Sequence, residues 1–277
     1  MRDRDDDVPE HEPFVVEPLD RWRLQDETVN RGLDGRPAPR DPRARMAATG
    51  MLPAGARGTL AFQDVDDEAQ QLLARVRSHG PMTTATIDVR IDGVRVFGGM
   101  PGVAADSIVY ATVATMKPKY RLRAFVLHVF AAVQRHAPSP GLPARTLVEA
   151  KDKTVAYTSL EPAEARELAK VLLDGYRQGV REPLPVFGDS SAVFAELLAP
   201  ASKKGKKAPR EPASPAEALR AAKKKFEPDP NADYPRGDLT DDDVRLCWRG
   251  REPLLDPRFQ TWARALWAEL LKRERIA

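Results

Sequence analysis

The chain has 277 residues, 42% of them apolar and 31% charged, with a formal net charge of +3. That length admits one large domain or two small ones, and that composition can bury a core, which excludes wholesale disorder and a histone-like polycation. A single cysteine, Cys247, excludes a disulfide framework and any multi-cysteine metal site. His11, His79, His128 and His136 are scattered without an HExxH or paired-ligand spacing. The longest apolar run, 124–133, is interrupted by His128 and falls short of the roughly 20 residues of a membrane span. The N-terminus is acidic where a secretory leader is basic and then apolar. A soluble, cytoplasmic protein with no membrane partner is therefore expected.

Residues 1–20 carry two basic and eight acidic side chains, with prolines at 9, 13 and 18, and read as a solvated tail. A short helix over 20–30 has Trp22 as its only large apolar anchor, and 34–44 is a Pro-rich connector. Gly50, Gly55 and Gly58 mark tight turns. A phosphate cradle there lacks the Lys-Ser/Thr of a P-loop, and no strand precedes it. A helix is expected over 65–78, with Asp64 as N-cap, Ala69, Leu72, Leu73 and Val76 at helical spacing, and Gly80 as the stop.

The period then changes to two. Residues 84–91 are rich in β-branched side chains, Asp92-Gly93 is a hairpin turn, and 94–97 returns as the second strand, ended or bulged by the glycines at 98, 99 and 102. A third strand is expected over 107–116. Pro118 opens a helix whose stripe is Leu122, Phe125, Val126, Val129, Phe130 and Val133, closed by Pro138 and Pro140. Short strands follow at 146–149 and 154–158. A helix begins at Pro162 and ends at Gly179, with Leu168, Val171, Leu172 and Tyr176 on its apolar face.

The stretch 199–216 is Pro/Ala/Lys-rich and reads as a flexible loop. A short helix follows at 215–226. Thr240 then caps a helix that contains Cys247 and Trp248, and Cys247 reads as a packed core thiol rather than a nucleophile. The last helix opens at Asp256-Pro257 and carries Phe259, Trp262, Leu266 and Leu270 on one face, with Trp267 beside them. This stripe reads as core; the alternative is a subunit interface, for which Phe259, Trp262 and Trp267 are the candidates. The expected fold is α/β (α+β), a small mixed sheet flanked by helices.

This order resembles the core of the PD-(D/E)xK nucleases, which place an Asp on one strand and Glu/Asp-x-Lys on the next to hold a divalent metal and steady a water or phosphate. The strand at 107–116 has no carboxylate or lysine in its interior. One literal Glu-x-Lys, Glu149-Ala-Lys151, follows the long helix, and Asp88, Asp92 or Asp106 is the partner carboxylate it would need. No GxSxG is present. The local basic clusters are the other candidates. Lys117, Lys119, Arg121 and Arg123 open a helix, Lys203, Lys204, Lys206 and Lys207 lie in the loop, and Lys223–Lys225 follow. Such clusters suit phosphate contacts, because neutralising each phosphate releases counterions. The bland reading is a solvated face and a solubilising linker.

Several stretches together resemble the RecC C-terminal domain, part of the gamma subunit of exodeoxyribonuclease V. They are Glu12-Pro-Phe14 with Leu19, Asp20, Trp22 and Leu24; the 50–58 glycine segment; Leu168 to Gly179 followed by Glu182, Leu184 and Val186; and Asp243 with Trp248 to Leu254 and the closing Trp-containing helix. The 199–212 segment then looks like a loop insertion. The resemblance implies a catalytically degenerate nuclease-like fold over 45–277, preceded by a tail and connector over 1–44, with a flexible Lys-rich loop at 199–214. It implies a non-catalytic subunit of a RecBCD-type helicase-nuclease acting on double-stranded DNA ends in recombinational repair, which scaffolds RecB and guides DNA strands. RecB-like and RecD-like subunits and DNA are the implied partners. No cofactor is expected in this chain, ATP and Mg belonging to partner subunits. RecC subunits are about four times longer, so the chain reads as a fragment or split subunit, and no Chi-reading segment carries over. The competing readings are an active metal-dependent nuclease using Glu149 and Lys151, and a free-standing DNA-binding module.

Overall fold

The computed structural model describes residues 16–33, 41–135, 141–200, 211–228 and 236–276. Among these, nine α-helices surround one six-stranded mixed sheet. The strands are β1 (Thr83–Ile91), β2 (Val94–Val103), β3 (Ser107–Ala111), β4 (Arg145–Glu149), β5 (Thr154–Tyr157) and β6 (Glu274–Ile276), and they lie side by side in chain order. All neighbours are antiparallel except β3 and β4, which run parallel because helix α4 (Pro118–Arg135) carries the chain between them.

The hairpin turns at Asp92 (φ 47°) and Gly93 (φ 78°), two successive left-handed residues that match the twist of the flanking strands. β2 does not stop at its glycines. It runs on to Val103, buries Met100, and slips by one residue between the Thr83–Val103 and Ala85–Met100 pairs. Gly102 permits this bulge: its φ is +76°, and a Cβ there would sit 2.2 Å from the Val109 carbonyl oxygen. β3 is shorter than the 107–116 run, because its β2 pairing is a single contact, Val103 with Ile108, and the chain turns away toward α4.

Three apolar clusters position the layers. Ile87, Val89 and Ile91 of β1, with Ile108, Val148 and Tyr157, face α4, α5 (Pro162–Gly179) and α9 (Pro257–Arg273). On the opposite face, Val109, Leu147 and Ala156 meet Ala69, Leu72 and Val76 of α3 (Gly55–Arg77) and Val29 of α1 (Pro18–Leu33). β4 is thus covered on both faces, whereas β1 keeps an outward row of exposed Thr84, Asp88 and Arg90. A separate aromatic cluster joins Phe187, Phe194, Phe226, Trp248 and Phe259 from α6 (Asp189–Leu198), α7 (Pro215–Phe226), α9 and the loops between them. Its rings pack edge-on, Phe187 to Phe226 at 4.9 Å and Phe194 to Phe259 at 5.4 Å.

Several expectations are corrected. α3 begins at Gly55, well before Asp64, because Gly58 packs so closely on the preceding loop that a Cβ would meet the Pro53 carbonyl at 1.9 Å. The glycines at 55 and 58 therefore start a helix instead of forming a string of turns. α1 is longer than the expected 20–30 helix, running from Pro18 to Leu33: Leu24 and Val29 are buried, and Gln25 donates to Glu68 of α3. Cys247 is exposed at the end of α8 (Asp242–Cys247) while its neighbour Trp248 is buried, so the thiol is not a core group. The cap of α8 is Asp241, whose side chain accepts from Asp243 N and Val244 N. α2 (Pro42–Ala48), α6 and β6 have no counterpart among the expected elements. No helix among the described residues is long and apolar enough to cross a membrane.

Candidate nucleic-acid interface

The four cations at the entry to α4 do not form one patch. Lys117, Lys119 and Arg123 are exposed and, among the described residues, make no ion pair. Arg121 is turned inward. Its side chain is 11% exposed, its Nη1 lies 2.6 Å from Glu196 Oε1 of α6, and its Nε lies 2.7 Å from Glu274 Oε2 of β6. The guanidinium also sits 5.3 Å over the Trp267 ring, and the Arg121 carbonyl accepts from the Tyr157 hydroxyl at 2.9 Å. Burial opposes its charge, yet Glu274 and Glu196 outweigh that and hold the Arg121 proton more tightly than usual. Arg121 is a tie between α4, α6 and β6, with its donors committed inside the molecule.

Tertiary structure adds to the remaining cations. Burial pushes the Asp189 carboxyl above its usual range and the Asp238 charge adds to the shift, while Lys225, Lys117 and Lys119 oppose it. The end of α7 and the entry to α4 therefore act on one point at the start of α6, although 106 residues separate Lys119 from Lys225 in the sequence. Asp238 itself is committed there, accepting from Asp189 N at 3.1 Å, Ser190 N at 2.8 Å and the Ser190 hydroxyl. From the start of a short 3-10 helix (Asp238–Thr240) it supplies the cap that Gly188 lacks.

Two tyrosines lie among these cations. Tyr110 of β3 and Tyr120 of α4 are half-buried, with ring centroids 6.5 Å apart and planes tilted by 34°. Lys119 Nζ is 5.1 Å over the Tyr120 ring, and the Arg123 guanidinium is 5.6 Å over Tyr110. Sequence reasoning passed over both tyrosines. The signal was the interleaving of Tyr120 with Lys119, Arg121 and Arg123 in one run. Lys203, Lys204, Lys206 and Lys207 lie outside the described residues.

The Glu-x-Lys pair turns to two different sets of partners. Glu149 is 3% exposed. Its Oε1 lies 3.0 Å from His79 Nε2, and its Oε2 accepts from the Thr154 hydroxyl at 2.7 Å and lies 3.6 Å from Arg75 Nε. A buried carboxylate needs such partners. Lys151 points elsewhere, to Glu68 of α3 at 2.8 Å. Asp88 is held by Arg95 Nε and Nη2 at 2.8 and 2.7 Å, Asp92 by Lys170 at 3.3 Å, and Asp106 by the Ser107 hydroxyl at 2.9 Å. None of the three joins Glu149.

Of the interface candidates, Phe259 and Trp267 are 0% exposed and belong to the core of this chain. Trp262 keeps partial exposure and packs against Gly175 of α5, where a Cβ would meet its ring at 3.0 Å. It is the one of the three with surface left to offer.

A family model described as the RecC C-terminal domain matches residues 1–199. The chain belongs to the RecC C-terminal domain family. The RecBCD enzyme subunit RecC of Escherichia coli (strain K12) is 27% identical over 195 residues, 70% of this chain and 17% of that protein. The chain thus spans less than a fifth of the length of that relative. The α4 entry, Tyr110 and Glu149 lie within the region shared with the family, whereas α7, α8, α9 and the 243–254 stretch lie beyond the matched residues.

Proposed function

We propose that this chain serves as a non-catalytic RecC-type domain of a RecBCD-type helicase-nuclease, acting on double-stranded DNA ends in recombinational repair. In this reading it scaffolds a RecB-like subunit, meets a RecD-like subunit, and guides DNA by phosphate contacts from Lys117, Lys119 and Arg123. The observation that carries the DNA contact is the pair of exposed lysines at the α4 entry, Lys117 and Lys119, which make no ion pair among the described residues. The Lys-rich 203–207 segment extends this role, and Trp262 offers the partner contact. ATP and Mg²⁺ are bound by partner subunits, and the setting is the cytoplasm.

We also propose that the domain is a catalytically degenerate relative of the PD-(D/E)xK fold. The β1–β2 hairpin, β3 and the parallel β3–α4–β4 crossover support this, as does a β3 without carboxylate or lysine. The engagement of Glu149 by His79, Thr154 and Arg75 supports loss of the metal chemistry. Mg²⁺- or Mn²⁺-dependent DNA cleavage by the purified chain, abolished by Glu149→Ala, would overturn it.

The test is a DNA titration at several salt concentrations. Replacing Lys117 and Lys119 by Ala together weakens binding and flattens the salt slope by roughly 2, one per phosphate contact. An unchanged slope removes these residues from the DNA path. Co-purification with a RecB-like helicase separates the subunit reading from a free-standing DNA-binding module.

A further inference from the structure

We infer that Tyr110 and Tyr120 form a stacking platform for the bases of an unpaired DNA strand whose phosphates lie along Lys117, Lys119 and Arg123. The inference deepens the DNA-contact reading above and rests on it. Cations alone hold a duplex and an unpaired strand alike, since both present phosphates. Aromatic rings discriminate, because a tyrosine face can take a base only when that base has left its stack. Here two partly exposed rings from different elements, β3 and α4, stand 6.5 Å apart. Each carries a cation over it, Lys119 on Tyr120 and Arg123 on Tyr110. Neither cation is neutralised by a carboxylate among the described residues, whereas Arg121 between them in sequence is. Four carboxylates stand near this surface and none makes an ion pair with Lys117, Lys119 or Arg123 among the described residues: Asp238 is occupied by the α6 backbone, Asp152 accepts from Met116 N at 2.7 Å, Asp26 acts on Tyr110, and Asp189 lies in the field of Lys117, Lys119 and Lys225. Rings alternating with cations that no carboxylate among the described residues neutralises match the base–phosphate alternation of a single strand.

The platform is tested by fluorescence anisotropy of the full chain with a labelled oligo-dT, a blunt duplex of equal length and an oligo-U. Oligo-dT is expected to bind more tightly than the duplex. Tyr120→Ala and Tyr120→Leu each weaken oligo-dT binding about tenfold with the salt slope unchanged, since one base–ring contact is lost and the phosphate contacts stay. Tyr120→Phe keeps the ring and binds as the parent does. Tyr120→Leu retains apolar volume, so a thermal melt matching the parent separates loss of stacking from loss of fold. Unchanged affinity in Tyr120→Ala alongside a flattened slope in the Lys117/Lys119 double variant overturns the platform and leaves the phosphate reading standing. Tighter binding of the duplex also overturns the platform, tighter binding of oligo-U overturns the assignment to DNA, and no binding of any oligonucleotide overturns both readings.

Discussion

Arg121 of α4 meets Glu274 of β6 at 2.7 Å, and this one contact ties the entry of the crossover helix to the last strand of the sheet. The same guanidinium reaches Glu196 of α6 at 2.6 Å. A cation that looks like its neighbours in sequence is thus a structural joint.

Arg121→Ala is expected to destabilise the chain by about 3 kcal/mol, because it leaves the Glu274 carboxylate half-buried without its partner. Lys117→Ala, on the exposed surface, should fall within about 0.5 kcal/mol of the parent. Urea denaturation of the two variants checks the split. Equal effects would return Arg121 to the surface group.

Phe259→Ala should cost about 3–5 kcal/mol, since it empties the centre of the aromatic cluster against Phe187 and Phe194. Trp262→Ala should cost less, because part of that ring is already in solvent. In co-purification with a RecB-like subunit, the Trp262 variant is the one expected to lose partner while still melting cooperatively.

His128 gives the fold an acid sensitivity. It is 1% exposed, with Nδ1 2.9 Å from the Thr146 hydroxyl and Nε2 2.9 Å from the Thr158 carbonyl. Burial, helped by the charges of Arg135 and Arg273 and opposed by the Thr158 bond, lowers its pKa from 6.5 to about 4. Between those values the unfolded chain binds a proton that the folded chain refuses. Stability present above the unfolded value of 6.5 is therefore lost as pH falls toward about 4. The loss amounts to about 1.4 kcal/mol per pH unit and about 3 kcal/mol in all. Denaturation midpoints across this range should fall accordingly, and His128→Gln should flatten that part of the profile.

Asp238→Ala removes the remote cap of α6 and leaves Asp189 N, Ser190 N and the buried Ser190 hydroxyl without their acceptor. A loss of about 1–2 kcal/mol is expected. Asp238→Asn keeps an acceptor and should recover part of it. Hydrogen exchange at the Ser190 amide reads the cap directly.

The hairpin, the long α4 stripe, the α5 start at Pro162 and the Asp256–Pro257 opening of α9 were all legible in the amino-acid order. Each rests on short-range patterns: alternation in 84–91, an Asp-Gly turn, apolar spacing from Leu122 to Val133, and a Pro in the first helical turn. The early start of α3 was not legible, because the requirement at Gly58 comes from Pro53 folding back on it. α6 was missed for the same kind of reason, its cap arriving from Asp238 and not from its own N-terminus.

Composition and local pattern were enough to establish a mixed α/β chain with a single cysteine and no carboxylate in the third strand, and the scattered stretches from Glu12 to Val186 were enough to point to the family, while the 243–254 stretch also read as part of it lies beyond the matched residues. Which side chains remain available to a ligand was decided only by tertiary packing. Glu149 and Lys151 are two residues apart in sequence but turn to different partners, and Arg121 parts from Lys119 and Arg123. Tyr110 joins Tyr120 across the β3–α4 turn. Charge and spacing are properties of the chain order, whereas exposure and pairing depend on which distant element arrives opposite each side chain, and no local period encodes that.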